Sequence, residues 1–440
     1  MIIRRLRNIR LTWTQVAIVA AASALATAVI IAMATKGNGL SYSELAALRQ
    51  RVAVHTTPSS TPAASTTAAS TQAAPAAAGG DSAGLPLTSS APADTGADAG
   101  TTTTDGDTGD GNTTGSDTGT TQSSSTSTAP TATAGHVFEI ALTTTSYRAA
   151  FGAGSVAHYL NRKLRRKGVL LSGYRTLGGS ELPDYLAMVS GQAPNSDSRT
   201  DCAIYAEFSG SATASSDGQV PGPGCVYPDT VLTVADQVTA SGKEWKAYLA
   251  DMDSTCVHPN SNVADDATLA GAGSEYDTRH NPFIYFHSLL DLGGCSSNDE
   301  GLQSLSKDLR QAKRTPTYAF IAPGLCDEPS AGSCPDGTPA GLAGEDAFLK
   351  RWVPTILASP AYKQNGVLMI VFARAPTVSG SHPVRTGALI VSPTVKKKST
   401  VSTSYNPYSV LRSVEDLLGY TPLVHAKKAK SFASLAVAAS

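Results

Sequence analysis

The chain of 440 residues lacks the short motifs by which many enzymes are recognised. It contains no HExxH zinc motif, no Walker A phosphate loop and no G-x-S-x-G nucleophile elbow. Its six cysteines form no CxxC pair, which argues against a zinc ribbon or a thioredoxin-like redox site. The net charge is −1, and no basic stripe with interleaved aromatic residues is present. Nucleic acid is therefore not an expected partner.

Large apolar and aromatic side chains are scarce from about Val54 to Ala134, where Thr, Ser, Ala, Gly, Pro and Asp make up almost the whole sequence. Such a segment cannot bury enough apolar surface to offset the entropy lost on ordering, so residues 54–134 are predicted to be a disordered stalk. Roughly 300 residues remain beyond the stalk, which is enough for one large core. We expect one domain over residues 135–425, followed by a flexible tail over residues 426–440.

The N-terminus carries an uncharged run from Leu11 to Thr35, preceded by a basic tail over residues 1–10. A helix of about 20 apolar residues spans a bilayer, so residues 11–35 are predicted to be a transmembrane anchor. Positive charge before the anchor places the N-terminus in the cytoplasm and the domain outside the cell membrane. Residues 36–53 would form a short juxtamembrane segment. The alternative is a cleaved signal peptide, for which Ala32-Met33-Ala34 is the candidate cleavage site.

All the cysteines lie beyond the stalk, and their number is even: Cys202, Cys225, Cys256, Cys295, Cys326 and Cys334. An oxidising compartment outside the cytoplasm would permit three disulfides. Six cysteines allow many pairings, and the sequence alone does not choose among them. Pairing in sequential order closes short loops and is the arrangement we favour.

Short apolar runs alternate with helical patterns along the domain. The predicted strands are HVFEIAL, GVLLSGY, YAFIAPG, GVLMIVF and GALIVSP, and helices are predicted at Val156–Lys167, ELPDYLAMVSG, EDAFLKRWVPTIL and YSVLRSVEDLLG. A continuous apolar strand such as GVLMIVF is typical of burial on both faces. The pattern predicts an α/β fold with a doubly wound, mostly parallel sheet and helices on both faces. Ligands of such folds bind beyond the carboxyl ends of the strands.

Eight stretches, in this order along the chain, resemble the bacterial phosphoesterase family of acid phosphatases and phospholipase C-type enzymes in the alkaline phosphatase superfamily. They are YLNRKLRRKGVLLSGY, LPDYLAMVSG, CVYP, KEWKAYLADM, RHNPFIYF, YAFIAPGLC, WVPTILASPAYKQNGVLMIVF and SYNPYSVLRSVEDLLG. The resemblance implies an alkaline phosphatase-like fold and metal-assisted hydrolysis of phosphate esters. A divalent ion for that chemistry needs several anionic oxygens and a nucleophile beside it.

The family's functional positions are only partly retained. After the first strand the family has Glu-Asn where this chain has Thr143 and Thr144, and neutral hydroxyls are poor replacements for a metal-binding carboxylate. Glu181 occupies the position of the family's nucleophilic serine. His280 matches a pocket histidine of the family, although a His before Asn-Pro can also simply brace the start of a helix. Glu181 and His280 are the candidate catalytic residues.

The later metal positions have changed as well. Asp327 and Glu328 keep carboxylates after the strand YAFIAPG and are the candidate metal ligands. After GVLMIVF the family's Asp-Glu is replaced by Ala373-Arg374, and an arginine repels a dication. Because the losses fall at strand ends while the scaffold persists, the resemblance implies a phosphoesterase-like domain without its metal site.

Three hypotheses follow. In the first, no cofactor is bound, hydrolysis is impaired, and the cleft binds a phosphate-bearing or glycan ligand or another protein at the cell surface, through Arg374, Thr143 and Thr144. In the second, a divalent metal is bound at a rebuilt site made of Glu181, His280, Asp327 and Glu328, and the protein is an active phosphoric ester hydrolase. In the third, the chain is a purely structural wall-spanning protein.

Overall fold

The computed structural model describes residues 133–143, 146–211, 213–265, 275–327, 339–373 and 382–437. The predicted basic tail, membrane anchor, juxtamembrane segment and almost all of the predicted stalk lie outside these residues. No helix within the described ranges is long and apolar enough to cross a membrane.

One sheet forms the centre of the domain. Its strands are β1 His136–Leu142, β2 Val169–Leu171, β3 Trp245–Leu249, β4 Asp299–Gly301, β5 Tyr318–Ala322, β6 Gly366–Phe372, β7 Ala388–Val391 and β8 Ser399–Val401. Their order across the sheet is β4-β3-β5-β1-β6-β7-β2-β8. Among these strands β7 runs antiparallel to its two neighbours, and every other pairing is parallel. The predicted mostly parallel sheet is confirmed.

Helices cover both faces of the sheet. They are α1 Tyr147–Phe151, α2 Leu182–Ser190, α3 Val234–Ala240, α4 His287–Leu290, α5 Gly294–Asn298, α6 Leu305–Asp308, α7 Leu342–Ala358, α8 Pro360–Asn365, α9 Pro407–Leu418 and α10 Ala433–Ala436. Side chains alternate along β1, so Val137 and Ala141 face the core formed with α2 and α9, whereas Ile140 faces the core formed with α7. The doubly wound arrangement is therefore also confirmed.

The central strand β6 is buried along its whole length, as the run GVLMIVF predicts. It pairs with β1 on one side and with β7 on the other, and helices cover both of its faces. A polar side chain anywhere along β6 would need a buried hydrogen-bond partner. The sequence of β6 contains no polar side chain, so this requirement does not arise.

The helix predicted over Val156–Lys167 takes a different form. A π-helical turn spans Tyr159–Leu164 and a 3-10 turn follows over Arg165–Lys167. The segment ends at Gly168, as predicted, because the backbone there passes close to β7. A Cβ atom at Gly168 would lie 2.1 Å from the carbonyl oxygen of Ile390.

Two of the predicted disulfides, Cys202–Cys225 and Cys256–Cys295, are confirmed. The third predicted pair includes Cys334, which lies outside the described residues.

The C-terminal segment differs from the predicted flexible tail. Phe432 is fully buried, its backbone N–H donates to the Ser413 hydroxyl at 2.8 Å, and its ring packs edge-on against Tyr405. The Ser392 hydroxyl, just after β7, donates to the Ala436 carbonyl. The apolar residues of this segment complete the cover over α9 and β7, which is why the segment is packed.

Candidate functional site

The strands β1, β3, β5 and β6 are parallel, so their carboxyl ends meet at one edge of the sheet. Thr143 follows β1, Asp251 lies two residues after β3, Pro323 follows β5 and Ala373 follows β6. We call this the carboxyl edge of the sheet, and it is where the fold leads us to expect a ligand.

Glu181 is held at the start of α2, and its side chain is fully buried. One carboxylate oxygen of Asp201 accepts the backbone N–H groups of Glu181 and Leu182, both at 3.0 Å. An acidic side chain in this position satisfies N–H groups that have no partner within the helix. Asp201 precedes Cys202, so the Cys202–Cys225 disulfide fixes the loop that holds Glu181 in place.

His280 ends a short 3-10 turn that begins after Asp277. Its Nδ1 atom lies 3.1 Å from the carbonyl oxygen of Pro323. A carbonyl oxygen only accepts hydrogen bonds, so Nδ1 carries a proton and the other ring nitrogen is directed away from β5. That nitrogen, Nε2, lies 3.8 Å from Glu181 Oε2 and 3.9 Å from Asp277 Oδ2. The structure thus brings together the two candidate catalytic residues.

Arg279 connects the same two carboxylates. Its Nη1 atom lies 3.0 Å from Glu181 Oε1, and its Nε atom donates to both oxygens of Asp277, at 3.0 and 2.9 Å. The Arg279 side chain is only 12% exposed. A planar guanidinium with several fixed donors suits two carboxylates at once, and it neutralises a charge that burial makes costly. We call Glu181, Asp277, Arg279 and His280 the Glu181 cluster.

The Glu181 cluster includes three groups that could hold one divalent ion. One ligand atom each from Glu181, Asp277 and His280 lies within 4.8 Å of the others, and all three residues are buried. Carboxylate oxygens and an imidazole nitrogen are ordinary ligands for such an ion. However, two of these ligands already bind the Arg279 guanidinium, which an ion would have to displace.

Among the described residues, the positions directly after β1 and β6 do not supply the carboxylates that the resemblance implies. The Thr143 hydroxyl donates to Glu345 Oε1 at 3.4 Å, and both residues are fully buried. Ala373 offers no ligand atom. At Gly324 a Cβ atom would lie 2.9 Å from the Glu275 carbonyl oxygen and 3.0 Å from Asp251 Oδ2, so neighbouring groups fill that space. The described residues therefore do not fit the family's metal arrangement, and we derive no reaction step through a metal.

A further acidic side chain lies in the first turn of α2. Burial raises the pKa of Asp184 well above its usual value, a hydrogen bond from the Leu177 N–H opposes this, and the nearby carboxylates of Asp201 and Glu181 raise it further. The raised pKa favours the neutral form of Asp184 and so reduces the negative charge beside the Glu181 cluster.

The remaining predicted site residues lie outside the described part of the chain. These are Thr144, Glu328 and Arg374, together with the side chain of Asp327. The convergence of Asp327 and Glu328 on Glu181 stays a prediction, as do the ligand-binding roles of Thr144 and Arg374.

Sequence reasoning missed Asp277 and Arg279, although both stand directly before the family histidine. Asp277 is three residues before His280, and in a 3-10 turn this spacing places two side chains on the same face. The segment D-T-R-H was therefore a usable signal. What it could not reveal is the contact between Arg279 and Glu181, because the two lie far apart in the chain.

The chain is similar to two curated fungal proteins. It is 23% identical over 279 residues to the "Probable acid phosphatase" of Kluyveromyces lactis, covering 63% of this chain and 56% of that protein. It is 21% identical over 255 residues to the "Phosphate-repressible acid phosphatase" of Penicillium chrysogenum, covering 57% and 52%. The chain thus spans about half the length of the curated relatives it matches.

Solved structures with a similar course of the chain include a protein in the alkaline phosphatase superfamily from Vibrio parahaemolyticus. It matches with a TM-score of 0.39 and 11% identity, over 68% of this chain and 71% of that one. The lipoteichoic acid synthase LtaP from Listeria monocytogenes matches with a TM-score of 0.41 and 9% identity, over 68% and 76%.

A family model matches most of the described domain. Residues 155–420 match the model of the Phosphoesterase family, and this range runs from the turn after α1 to the end of α9 with the whole Glu181 cluster inside it. With more than half of the chain matched, this protein belongs to the Phosphoesterase family.

Proposed function

We propose that this chain is a membrane-anchored, extracytoplasmic member of the Phosphoesterase family that binds a phosphate-bearing or glycan ligand at the cell surface without hydrolysing it. One observation carries the proposal. Glu181 stands where the resemblance places the nucleophile, and it is fully buried in an ion pair with Arg279. A nucleophile must reach the substrate, whereas this carboxylate has no solvent-exposed surface and is held by a cation.

The electrostatics of the Glu181 cluster support the same conclusion. The family's reaction uses a dication to polarise the phosphoester and to hold the nucleophile. Here the Arg279 guanidinium supplies the positive charge between Glu181 and Asp277. Its charge is fixed and it offers only N–H donors, so it neutralises the two carboxylates but activates no water.

A second function, hydrolysis of phosphoric esters by a divalent metal at a rebuilt site, is favoured by one observation. The ligand atoms of Glu181, Asp277 and His280 lie close enough together to bind a single ion. Such an enzyme would have to move Arg279 out of the cluster on binding the metal.

Hydrolysis assays separate the two functions. The purified chain is incubated with p-nitrophenyl phosphate and with bis-p-nitrophenyl phosphate in the presence of Mg²⁺, Mn²⁺, Ca²⁺ or Zn²⁺. We expect the same background rate for the wild type and for His280→Ala. The control variant is His382→Ala, which changes an exposed histidine that is not a member of the Glu181 cluster. Turnover that His280→Ala abolishes and His382→Ala retains would establish the enzyme instead.

A further inference from the structure

Two runs of exposed basic residues meet at the edge of the sheet formed by β2 and β8. The first run precedes β2 and the second precedes β8. Their exposed members are Arg162, Lys163, Arg166, Lys167, Lys396, Lys397 and Lys398. The two strands are parallel and in register from their first residues, with Val169 beside Ser399. Neighbouring strands lie about 4.8 Å apart, so both runs end side by side at the start of this strand pair. We call these seven residues the basic edge.

The positive charge of the basic edge is not neutralised by nearby acids. No Asp or Glu occurs from residue 140 to 180 or from residue 347 to 414, although the whole chain has a net charge of −1. In the described part of the chain none of the seven side chains forms an ion pair. Near the opposite edge of the sheet, by contrast, Lys246 in β3 forms ion pairs with both Glu300 and Asp308, each at 2.6 Å.

The form of this surface indicates what kind of partner it fits. The seven charges are exposed, lie on long side chains and come from two separate segments. Such a surface attracts a partner with many negative charges rather than one small anion. No aromatic side chain lies between the cations in either run, which leaves no platform for stacking nucleic acid bases. An extended anionic surface is the partner with this chemistry.

The position of the basic edge in the fold indicates which extended anionic surface it faces. The strands β2 and β8 run parallel to β1, so their starts lie at the same end of the sheet as His136, where the chain enters the domain. Three strand spacings separate β1 from β2, which is roughly 14 Å. The 132 residues before the described domain contain the uncharged run from Leu11 to Thr35 that predicts a membrane anchor.

We propose that the basic edge docks the domain on an anionic lipid bilayer, the one in which the predicted anchor is embedded. The carboxyl edge of the sheet lies at the other end of the parallel strands. Docking through the strand starts therefore turns the Glu181 cluster away from the bilayer, toward ligands in the extracytoplasmic space.

The expected strength follows from the number of charges. Each lysine close to an anionic bilayer contributes about fivefold in binding, and the attraction fades within a Debye length. Changing Lys396, Lys397 and Lys398 to Gln should weaken docking on the order of a hundredfold. The matched control is Lys→Arg at the same three positions, which keeps the charge and the backbone requirements and should preserve docking.

Lysine acetylation tests the proposal on the full chain, reconstituted in bilayers of phosphatidylcholine alone or with added phosphatidylglycerol. Brief modification and mass spectrometry report the accessibility of each lysine. We expect several-fold slower modification of Lys163 and Lys167 in the anionic bilayer, reversed by about 0.5 M NaCl. The triple Gln variant should lose this protection and the triple Arg variant should keep it. Lys350, exposed midway along α7, should react equally in both bilayers.

Two outcomes would overturn the proposal. In one, Lys163 and Lys167 react at the same rate in both bilayers. In the other, soluble polyphosphate protects these lysines in the neutral bilayer while phosphatidylglycerol does not, which would make the partner a soluble anionic polymer instead. Neither outcome depends on whether the Glu181 cluster hydrolyses phosphoesters.

Discussion

The two ends of the parallel strands carry charge in opposite ways. At the carboxyl edge, Glu181 and Asp277 are buried and share the Arg279 guanidinium. At the strand starts, the seven cations of the basic edge are exposed and have no acidic partner among the described residues. A buried charge must be paired because low polarity makes it costly, whereas a surface charge can stay unpaired in water. The first arrangement fixes a structure, and the second leaves charge available for a partner.

The largest effect is expected when the buried cation is removed. Arg279→Met leaves the carboxylates of Glu181 and Asp277 buried without their cation and should lower the free energy of unfolding by about 3–5 kcal/mol. Urea denaturation measures the change.

A matched variant separates charge from packing. Adding Glu181→Gln and Asp277→Asn to Arg279→Met removes all three charges and should recover most of the loss. If the triple variant is as unstable as Arg279→Met alone, then packing of the arginine and not charge pairing stabilises the cluster.

A buried acidic side chain that has no cationic partner among the described residues gives a second test of this comparison. Glu139 lies in the middle of β1, and burial raises its pKa from 4.5 to about 8 despite a 3.0 Å hydrogen bond from the Tyr318 hydroxyl. In the unfolded chain Glu139 loses its proton above about pH 4.5, whereas in the folded protein it keeps the proton up to about pH 8. The free energy of unfolding therefore falls as the pH rises between these two values.

Glu139→Gln keeps an acceptor for Tyr318 and removes the ionisation. It should stabilise the protein on the order of 3 kcal/mol above pH 8 and have little effect near pH 4. Thermal or urea unfolding across this pH range tests it, with the exposed Glu244→Gln as control. If Glu139→Gln changed the free energy of unfolding equally at pH 4 and above pH 8, the raised pKa of Glu139 would be contradicted.

The smallest effect is expected at a half-exposed ion pair. His287 Nε2 lies 2.7 Å from Glu207 Oε2, and its Nδ1 lies 3.0 Å from Asp291 Oδ1. Partial burial lowers the pKa of His287, but hydrogen bonds to Asp291 and Glu207 outweigh it and raise the pKa above 6.5. Partial burial also raises the pKa of Glu207, but hydrogen bonds from Ser261 and His287 outweigh it and lower the pKa below 4.5.

The stabilising contribution of this pair is complete between about pH 4.5 and 6.5. It is lost as the pH rises through the raised pKa of His287 or falls through the lowered pKa of Glu207. Because both side chains are partly exposed, His287→Gln should cost well under 1 kcal/mol at pH 6 and less at pH 9. A loss that is larger at pH 9 than at pH 6 would rule out this reading.

The parts of the fold that the sequence predicts are those determined by local pattern. β6 and β7 are continuous apolar runs, and β1 is apolar from Val137 to Leu142 except at Glu139. α9 combines an Asn406 cap and Pro407 at its start with Gly419 at its end. The three-residue strands β4 and β8 have no such pattern, since one contains Asp299 and Glu300 and the other is Ser-Thr-Val. They are strands because a neighbouring strand pairs with them, β3 with β4 and β2 with β8.

The candidate site was predictable only in its individual residues. Glu181 and His280 could be placed by resemblance, because each stands in a short local motif. Their pairing with Asp277 and Arg279 is a contact between α2 and a distant turn, and local sequence carries no signal for it. The same holds for Thr143, whose buried hydroxyl donates to Glu345 at the start of α7.

The central claim is that the Arg279 guanidinium takes the place of a divalent metal between Glu181 and Asp277. Elemental analysis of the chain, purified without chelators and equilibrated with Zn²⁺, Mn²⁺ and Ca²⁺ before gel filtration, tests it most directly. We predict no stoichiometric metal in the wild type and a gain of bound metal in Arg279→Met, in which the carboxylates of Glu181 and Asp277 are released from the guanidinium beside His280. One tightly held ion per wild-type chain, lost in His280→Ala, would contradict the account.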